Sequence, residues 1–415
     1  MNNKLIAAVV VIIVIIAAVG VYFVTQDDSP TNTSDEDTYS IIGRVNTEGS
    51  GIFLNEGEVA SDYITFSETK PTDTDMYLGE EGRYVVFHPE AWGGKVFADP
   101  GTGSIQHVQL EQLADLMGLD FRLYQAGTSL NSNTLYYVPN VGTYATYELQ
   151  RDANHYTGCI IWEAQYSIAM QDGCVGLVTT NDMFPDHTCC VIGASDDYMT
   201  SHQSETVRFL AAYIETVDRM KAAIADQSSA DFQILMDVAI EKVSMPETMS
   251  DEDKRAAIIH ALGIVNYTYC DDASAADPLA QLKVDIADLV EQFQANGNLD
   301  TGITYQSLGF DSAQALADTF VDSQYMKDAI DGDYEVPESK STILVSVITG
   351  DIHQLAIHYG IKLGIFNEYG LEINIMSQTN GPGVYAALSN GTAQFGFIGA
   401  PPMTTNAMNN HAIAA

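Results

Sequence analysis

The most regular hydrophobic pattern lies in residues 341–415. Ile343-Leu-Val-Ser-Val-Ile348 is a nearly continuous apolar, β-branched run, which predicts a strand covered on both faces. Gly350 and Asp351 end it. Residues 352–360 then place Ile352, Leu355, Ala356 and Tyr359 on one helical face. Gly364 and Gly370 break the chain around Phe366, and Leu371, Ile373 and Ile375 alternate as a second strand. Gly381-Pro382-Gly383 opens a short helix with Val384, Ala387 and Leu388 inward. Phe395-Gly-Phe-Ile398 is a third strand, ended by Gly399-Ala400-Pro401-Pro402. This β-α-β-α-β order with short connections predicts a parallel sheet with right-handed crossovers.

Further forward the pattern is looser. Residues 39–45 predict a strand that ends in a Gly-rich turn over 46–51. Residues 52–90 alternate in short stretches and predict a hairpin-like excursion. A strand is predicted at 93–98, then a helix over 105–118 with Val108, Leu110, Leu113 and Leu116 apolar. Short apolar strands follow at 159–162, 175–179 and 189–192. Beyond residue 200 the period becomes helical, at 204–226, 234–243, 253–262, 279–293 and 313–320. The predicted class is α/β with parallel-rich sheets and a mainly helical stretch over 200–330. No Gly-x-Gly-x-x-Gly follows a strand, and neither a P-loop nor a sustained heptad is present.

Residues 5–24 carry no charge. As a helix they would span about 30 Å, one bilayer core. They predict an N-terminal transmembrane helix, an anchor or signal within residues 1–25. Lys4 precedes it and Asp27 and Asp28 follow, which places the bulk of the chain outside. Residues 26–39 are a polar linker. Asn32, Asn266 and Asn390 head glycosylation sequons, which an outside location allows. The rest divides into lobe I (40–90 and 190–415) and lobe II (91–189).

Composition narrows the partners. The chain has 415 residues, with 17 basic and 56 acidic side chains and a net charge of −39. Nucleic acid needs clustered Lys and Arg and is excluded as a partner. An anionic membrane surface is excluded on the same ground. A 46% apolar share is enough for a sizeable core. Five cysteines with no Cys-x-x-Cys do not make a disulfide scaffold. Asp186-His187-Thr188-Cys189-Cys190 reads as buried small residues in or beside a strand. No metal and no cofactor is expected.

The motifs together carry a resemblance. Gly350-Asp-Ile-His-Gln-Leu-Ala-Ile, Gly364-Ile-Phe-Asn-Glu-Tyr-Gly-Leu371, Gly383-Val-Tyr-Ala-Ala-Leu-Ser-Asn-Gly391 and Gly396-Phe-Ile-Gly-Ala-Pro-Pro402 follow in order. Residues 341–415 resemble the opening of substrate-binding proteins of the nitrate/sulfonate/taurine group (SsuA/TauA-like, NMT1/THI5-like), which feed ABC importers. Gly94-Lys95, Gly103-Ser104, Trp162-Glu163 and the helix around Phe209 to Ile214 resemble what normally follows. Here the opening stands last. That order is similar to a circular permutation, or to a piece of a tandem array. The resemblance implies a two-lobed, periplasmic-binding-protein-like (type II) fold that captures a small-molecule solute. It also implies an ABC permease and an ATPase as partners, with no catalysis. A solute-binding sensor ectodomain and a pyrimidine-precursor synthase-like enzyme are the alternatives on the same scaffold. The synthases of that branch carry a longer cysteine-rich, metal-binding stretch.

Candidate ligand contacts follow from turns at the carboxyl ends of the predicted strands, where helix N-termini offer free N–H groups. They are Ser50 and Gly51; Gly103, Ser104, Gln106 and His107; Asp351 and His353; Gly381 and Gly383; and Gly399, Ala400 and Pro401. Trp162 is a candidate wall for an apolar ligand body, with Glu163 beside it. Helix ends favour an anionic or zwitterionic solute, while Glu163 and Asp351 leave the charge open.

Overall fold

A computed structural model describes residues 37–72 and 74–414. The predicted 5–24 helix and most of the 26–39 linker lie outside the described residues. Among the described residues, no helix is long and apolar enough to cross a membrane. In chain order the strands are β1 (Tyr39–Glu48), β2 (Ser50–Leu54), β3 (Ile64–Ser67), β4 (Tyr77–Glu80), β5 (Arg83–Phe87), β6 (Val96–Ala98), β7 (Asp120–Leu123), β8 (Thr134–Val138), β9 (Gly158–Trp162), β10 (Val175–Thr179), β11 (Thr188–Ser195), β12 (Val265–Tyr267), β13 (Ser341–Ile348), β14 (Leu371–Gln378) and β15 (Phe395–Gly399). One six-stranded sheet has the order β12-β1-β11-β15-β13-β14 and a second has β10-β2-β9-β6-β8-β7. A three-stranded sheet, β3-β5-β4, stands apart from both.

The apolar run of β13 sits inside the first sheet, with Ile343, Val345 and Val347 almost fully buried. It pairs in parallel with β14 on one side and β15 on the other. Helices Leu355–Leu363 and Gly381–Ser389 make the crossovers. The sheet as a whole is not parallel-rich, however. β11 pairs antiparallel with β15 and with β1, and β1 pairs antiparallel with β12. The antiparallel pairs arise because β1 runs out to the other sheet and β11 comes back from it.

The turn expected over 46–51 is absent. Every residue of β1 and β2 is buried, and the chain runs directly from the first sheet into the second. Glu48 (φ 64°) and Gly49 (φ 96°) redirect it without a helix. β10 leads back through the short helix Thr180–Met183 into β11, so two crossings lie side by side. Thr180 Oγ1 donates to the Ser50 carbonyl (3.1 Å), and Asp186 N and Asn181 Nδ2 donate to the Glu48 carboxylate (3.0 and 2.6 Å). Burial raises the Glu48 carboxyl above its ordinary value.

This crossing moves the lobe boundary. Residues 50–54 pair within the second sheet, and Tyr63, Ile64, Val85 and Phe87 share a core with Ile52, Phe97 and Leu110. Residues 50–90 therefore belong with 91–179, not with lobe I as the sequence suggested. The helix Asp251–Leu262 serves both lobes. Ala257 packs in the core around Ile161 and Tyr166, while Ile258 and Ala261 pack in the first lobe.

The long helix Gln203–Ala225 covers the first sheet. Its Phe209 is fully buried and stacks on Phe395 with centroids 4.1 Å apart. Burying such a ring contributes about 1.5–3 kcal/mol. On β1, the buried Arg44 bonds Asp271, Thr188 and Asp285 (2.9 Å to the last). The two ends of the folded chain adjoin: Tyr39 N donates to the Ala412 carbonyl at 3.0 Å, and the Tyr39 ring lies 5.7 Å from that of Tyr385.

Candidate functional site

The loops after β6, β8 and β9 of the second sheet face those after β13, β14 and β15 of the first. They enclose a cavity of about 480 Å³, of small-molecule size, beyond the carboxyl ends of parallel strands. Three helices of eight or more residues begin at its wall behind polar caps. Ser104 Oγ accepts from His107 N (3.2 Å), Thr143 Oγ1 from Thr146 N (3.1 Å) and Asn380 Oδ1 from Gly383 N (3.0 Å). Each cap satisfies one amide. The remaining first-turn amides point past the helix end and favour negative charge there.

Of the predicted contacts, Gly103, Ser104, Gln106, Trp162, Asp351, His353, Gly381, Gly399 and Pro401 line this cavity. The others do not. Ser50 lies beneath the floor, where its Oγ accepts from Gln106 Nε2 at 2.8 Å. Gly51 is a packing glycine in β2; a Cβ there would come 2.7 Å from the Tyr166 ring. His107 turns into the lobe, pairs with Asp99 (3.0 Å) and packs against Tyr137. Gly383 gives its N–H to the Asn380 cap, and Ala400 is fully buried in its helix. Glu163 is fully buried behind the wall.

Residues that sequence reasoning missed also line the cavity, among them Asn140, Thr143, Gln165, Ser244, Thr349 and Asn380. A polar residue just before a helix is a cap signal, and Thr143 and Asn380 carried it.

Asp351 and His353 are the charged side chains in the lining. His353 is buried, with Nδ1 2.8 Å from Asp351 Oδ1 and Nε2 2.8 Å from the Gly49 carbonyl. Both ring nitrogens face acceptors, so the doubly protonated imidazolium satisfies both contacts. Burial opposes that charge. Asp351 and Cys189, together with the two hydrogen bonds, outweigh it and push His353 up to about 10. The contact joins the two lobes' crossing strand to the wall of the cavity.

Cys189 and Cys190 also front the cavity, which the reading of them as buried filler did not anticipate. The β1–β11 register shifts here, with Asn46 opposite Cys190 and Thr47 opposite Thr188. Such a bulge lets neighbouring side chains leave strict alternation. The two sulfurs lie 3.8 Å apart, and with a His353 nitrogen they fall within 4.8 Å of one another. The bond from Cys190 holds the Cys189 thiol below its ordinary value, and the His353 charge adds to this. Two thiols and an imidazole are a donor set for a soft metal ion. In this arrangement both His353 nitrogens are already hydrogen-bonded, so metal ligation would require release of either Asp351 or Gly49.

Glu163 N donates to the Gly49 carbonyl (2.9 Å), and its Oε2 accepts from Ser167 N (3.0 Å). Oε1 has no partner. Burial pushes the carboxyl up to about 7. A carboxyl raised in this way contributes stability below its unfolded value, about 4.5, which is lost as pH rises through about 7. Glu163→Gln keeps the neutral shape. It should unfold like the parent below pH 5 and be more stable by roughly 2–3 kcal/mol at pH 8. Urea midpoints at the two pH values test this; an equal difference at both would contradict it. Nearby Ser167 Oγ and Glu163 Oε1 approach the same nitrogen, His260 Nδ1, at 2.7 and 4.0 Å. That geometry gives no proton relay through the ring.

No protein-family model and no curated protein matches the chain. Among solved structures the chain is similar to the ligand-binding component of an ABC-type import system from Staphylococcus aureus, with zinc bound. The identity is 11% and the TM-score 0.41, over 70% of this chain and 74% of that one.

Proposed function

We propose that this chain is a two-lobed, type II solute-binding protein that captures a small anionic or zwitterionic molecule in the cleft. The observation that carries the reading is a 480 Å³ cavity lined from both lobes, across two adjacent crossing strands. Such crossings allow lobes to close about a hinge. With Asp351 and His353 already paired, the lining's uncommitted electrostatic feature is its helix N-termini, which suits a carboxylate, sulfonate or nitrate group. An ABC permease and an ATPase would be the partners. The bulk of the chain would lie outside the cell membrane, with residues 5–24 as its anchor or signal. Nothing in the cavity requires catalysis for this role.

The two tryptophans supply a test. Trp92 is fully buried in the second-lobe core, whereas Trp162 lines the cavity. A Trp92→Phe variant leaves Trp162 as the sole indole. Titration with nitrate, alkylsulfonates, taurine and bicarbonate should change its fluorescence saturably for the true class. The same ligand at 100 times its Kd should raise stability by about 2.7 kcal/mol. A panel that changes neither signal would refute a receptor for nitrate, sulfonates, taurine or bicarbonate.

A further inference from the structure

A second cavity, of about 140 Å³, lies between the helix Ile105–Leu116 of the second lobe and the helix Ala280–Asn296 of the first. Its volume matches about four or five waters or one group of that size. The walls are partly apolar, from Val108, Phe184 and Leu289. The polar groups there are unusual because several are buried without a partner. Gln109 is 2% exposed, and neither its Oε1 nor its Nε2 makes a hydrogen bond. Gln292 Oε1, on the facing helix, is also unpartnered. His187 Nδ1 lies 2.7 Å from the Phe184 carbonyl and must donate to it. Its Nε2 is then a bare lone pair, again without a partner. A proton on a buried Nε2 with no acceptor would be costly, so the ring is neutral. Leaving each such group unpaired costs about 1–3 kcal/mol.

We propose that this cavity is a second binding site, specific for a small primary ammonium compound. Three unpartnered acceptors (Gln109 Oε1, Gln292 Oε1 and His187 Nε2) face one unpartnered donor, Gln109 Nε2. An R–NH₃⁺ group carries three N–H donors, and a hydroxyl on a short R group would accept from Gln109 Nε2. Asp288 at the mouth adds negative charge, whereas Asp285 is already engaged by Arg44. The site is separate from the cleft but shares Ile105 with it, because that residue lines both. Occupancy would therefore hold the helix that starts at the cleft wall against the opposite lobe.

Ethanolamine is the probe, titrated calorimetrically into the full chain at low salt and neutral pH. Saturable binding at one site per chain is expected, at least 10-fold tighter than for ethylene glycol, potassium ion or choline. Gln109→Leu and Gln292→Leu should each weaken it 10-fold or more. The second variant keeps the result readable if the first does not fold. Asn380→Ala, in the cleft, should leave ethanolamine binding unchanged, so failure of the cleft reading and failure of this one are distinguishable. No saturable heat would mean a pocket of ordered water and would overturn the proposal. Equal binding of potassium or choline, or loss of binding only in Asn380→Ala, would overturn it as well.

Discussion

His353→Ala should lose roughly 3–5 kcal/mol of unfolding free energy near pH 6, the usual consequence of removing one partner of a buried pair. Asp351 would be left largely buried without its cation, and the Gly49 carbonyl would keep only its bond from Glu163 N. The dependence on pH is the sharper part. His353 is raised from 6.5 to about 10, so the folded state holds the proton more tightly than the unfolded chain. Its contribution is complete below about pH 6.5 and is lost as pH climbs toward 10. The gap between parent and variant should therefore shrink between pH 6 and pH 10. Urea denaturation of both at pH 6, 8 and 10 measures it. A gap that stays constant would mean that folding does not raise the affinity of His353 for its proton.

Gly49→Ala should be the other large effect, roughly 3–4 kcal/mol. Part of this is backbone: a φ of 96° costs a non-glycine residue about 1–2 kcal/mol. The rest is contact. A Cβ there would sit 2.4 Å from His353 Nε2, on a ring pinned through both nitrogens that has nowhere to retreat. Gly57 is the control, with φ 91° and nothing within 4 Å of its added Cβ. Gly57→Ala should cost only about 1–2 kcal/mol. Equal losses in the two variants would show that the strand crossing tolerates an extra carbon and that the His353 contact adds nothing.

The hydrophobic pattern identifies residues 341–415 well because local periodicity and final structure agree there. β13, β14 and β15 pair in parallel, and the glycines at 350, 381 and 399 mark the turns that lead into helices. Gly49 was read as a turn on the same chemistry. A left-handed glycine serves equally in a turn and in a strand that changes sheets, and only the pairing partners distinguish the two. That ambiguity misplaced Ser50, Gly51 and the boundary of lobe I. His107 failed for a different reason. Position within a helix indicates which end of it is near the ligand, but Asp99 decided which way the ring turned. Cys189 and Cys190 depended on a register shift opposite β1, and no residue in their own neighbourhood announces it.

The adjoining ends at Tyr39 and Ala412 also bear on how the protein is made. All six strands of the second sheet lie within residues 50–179, so that lobe can close while translation continues. The first sheet cannot. β1 and β11 emerge early, but β13, β14 and β15 follow only after more than a hundred intervening residues. For that interval the β11 edge that will receive β15 is bare, and a bare edge invites pairing with a neighbouring chain. The chain made by then already carries most of the net charge of −39, which opposes association of nascent copies. The acidity of this protein thus guards its synthesis as well as its solubility.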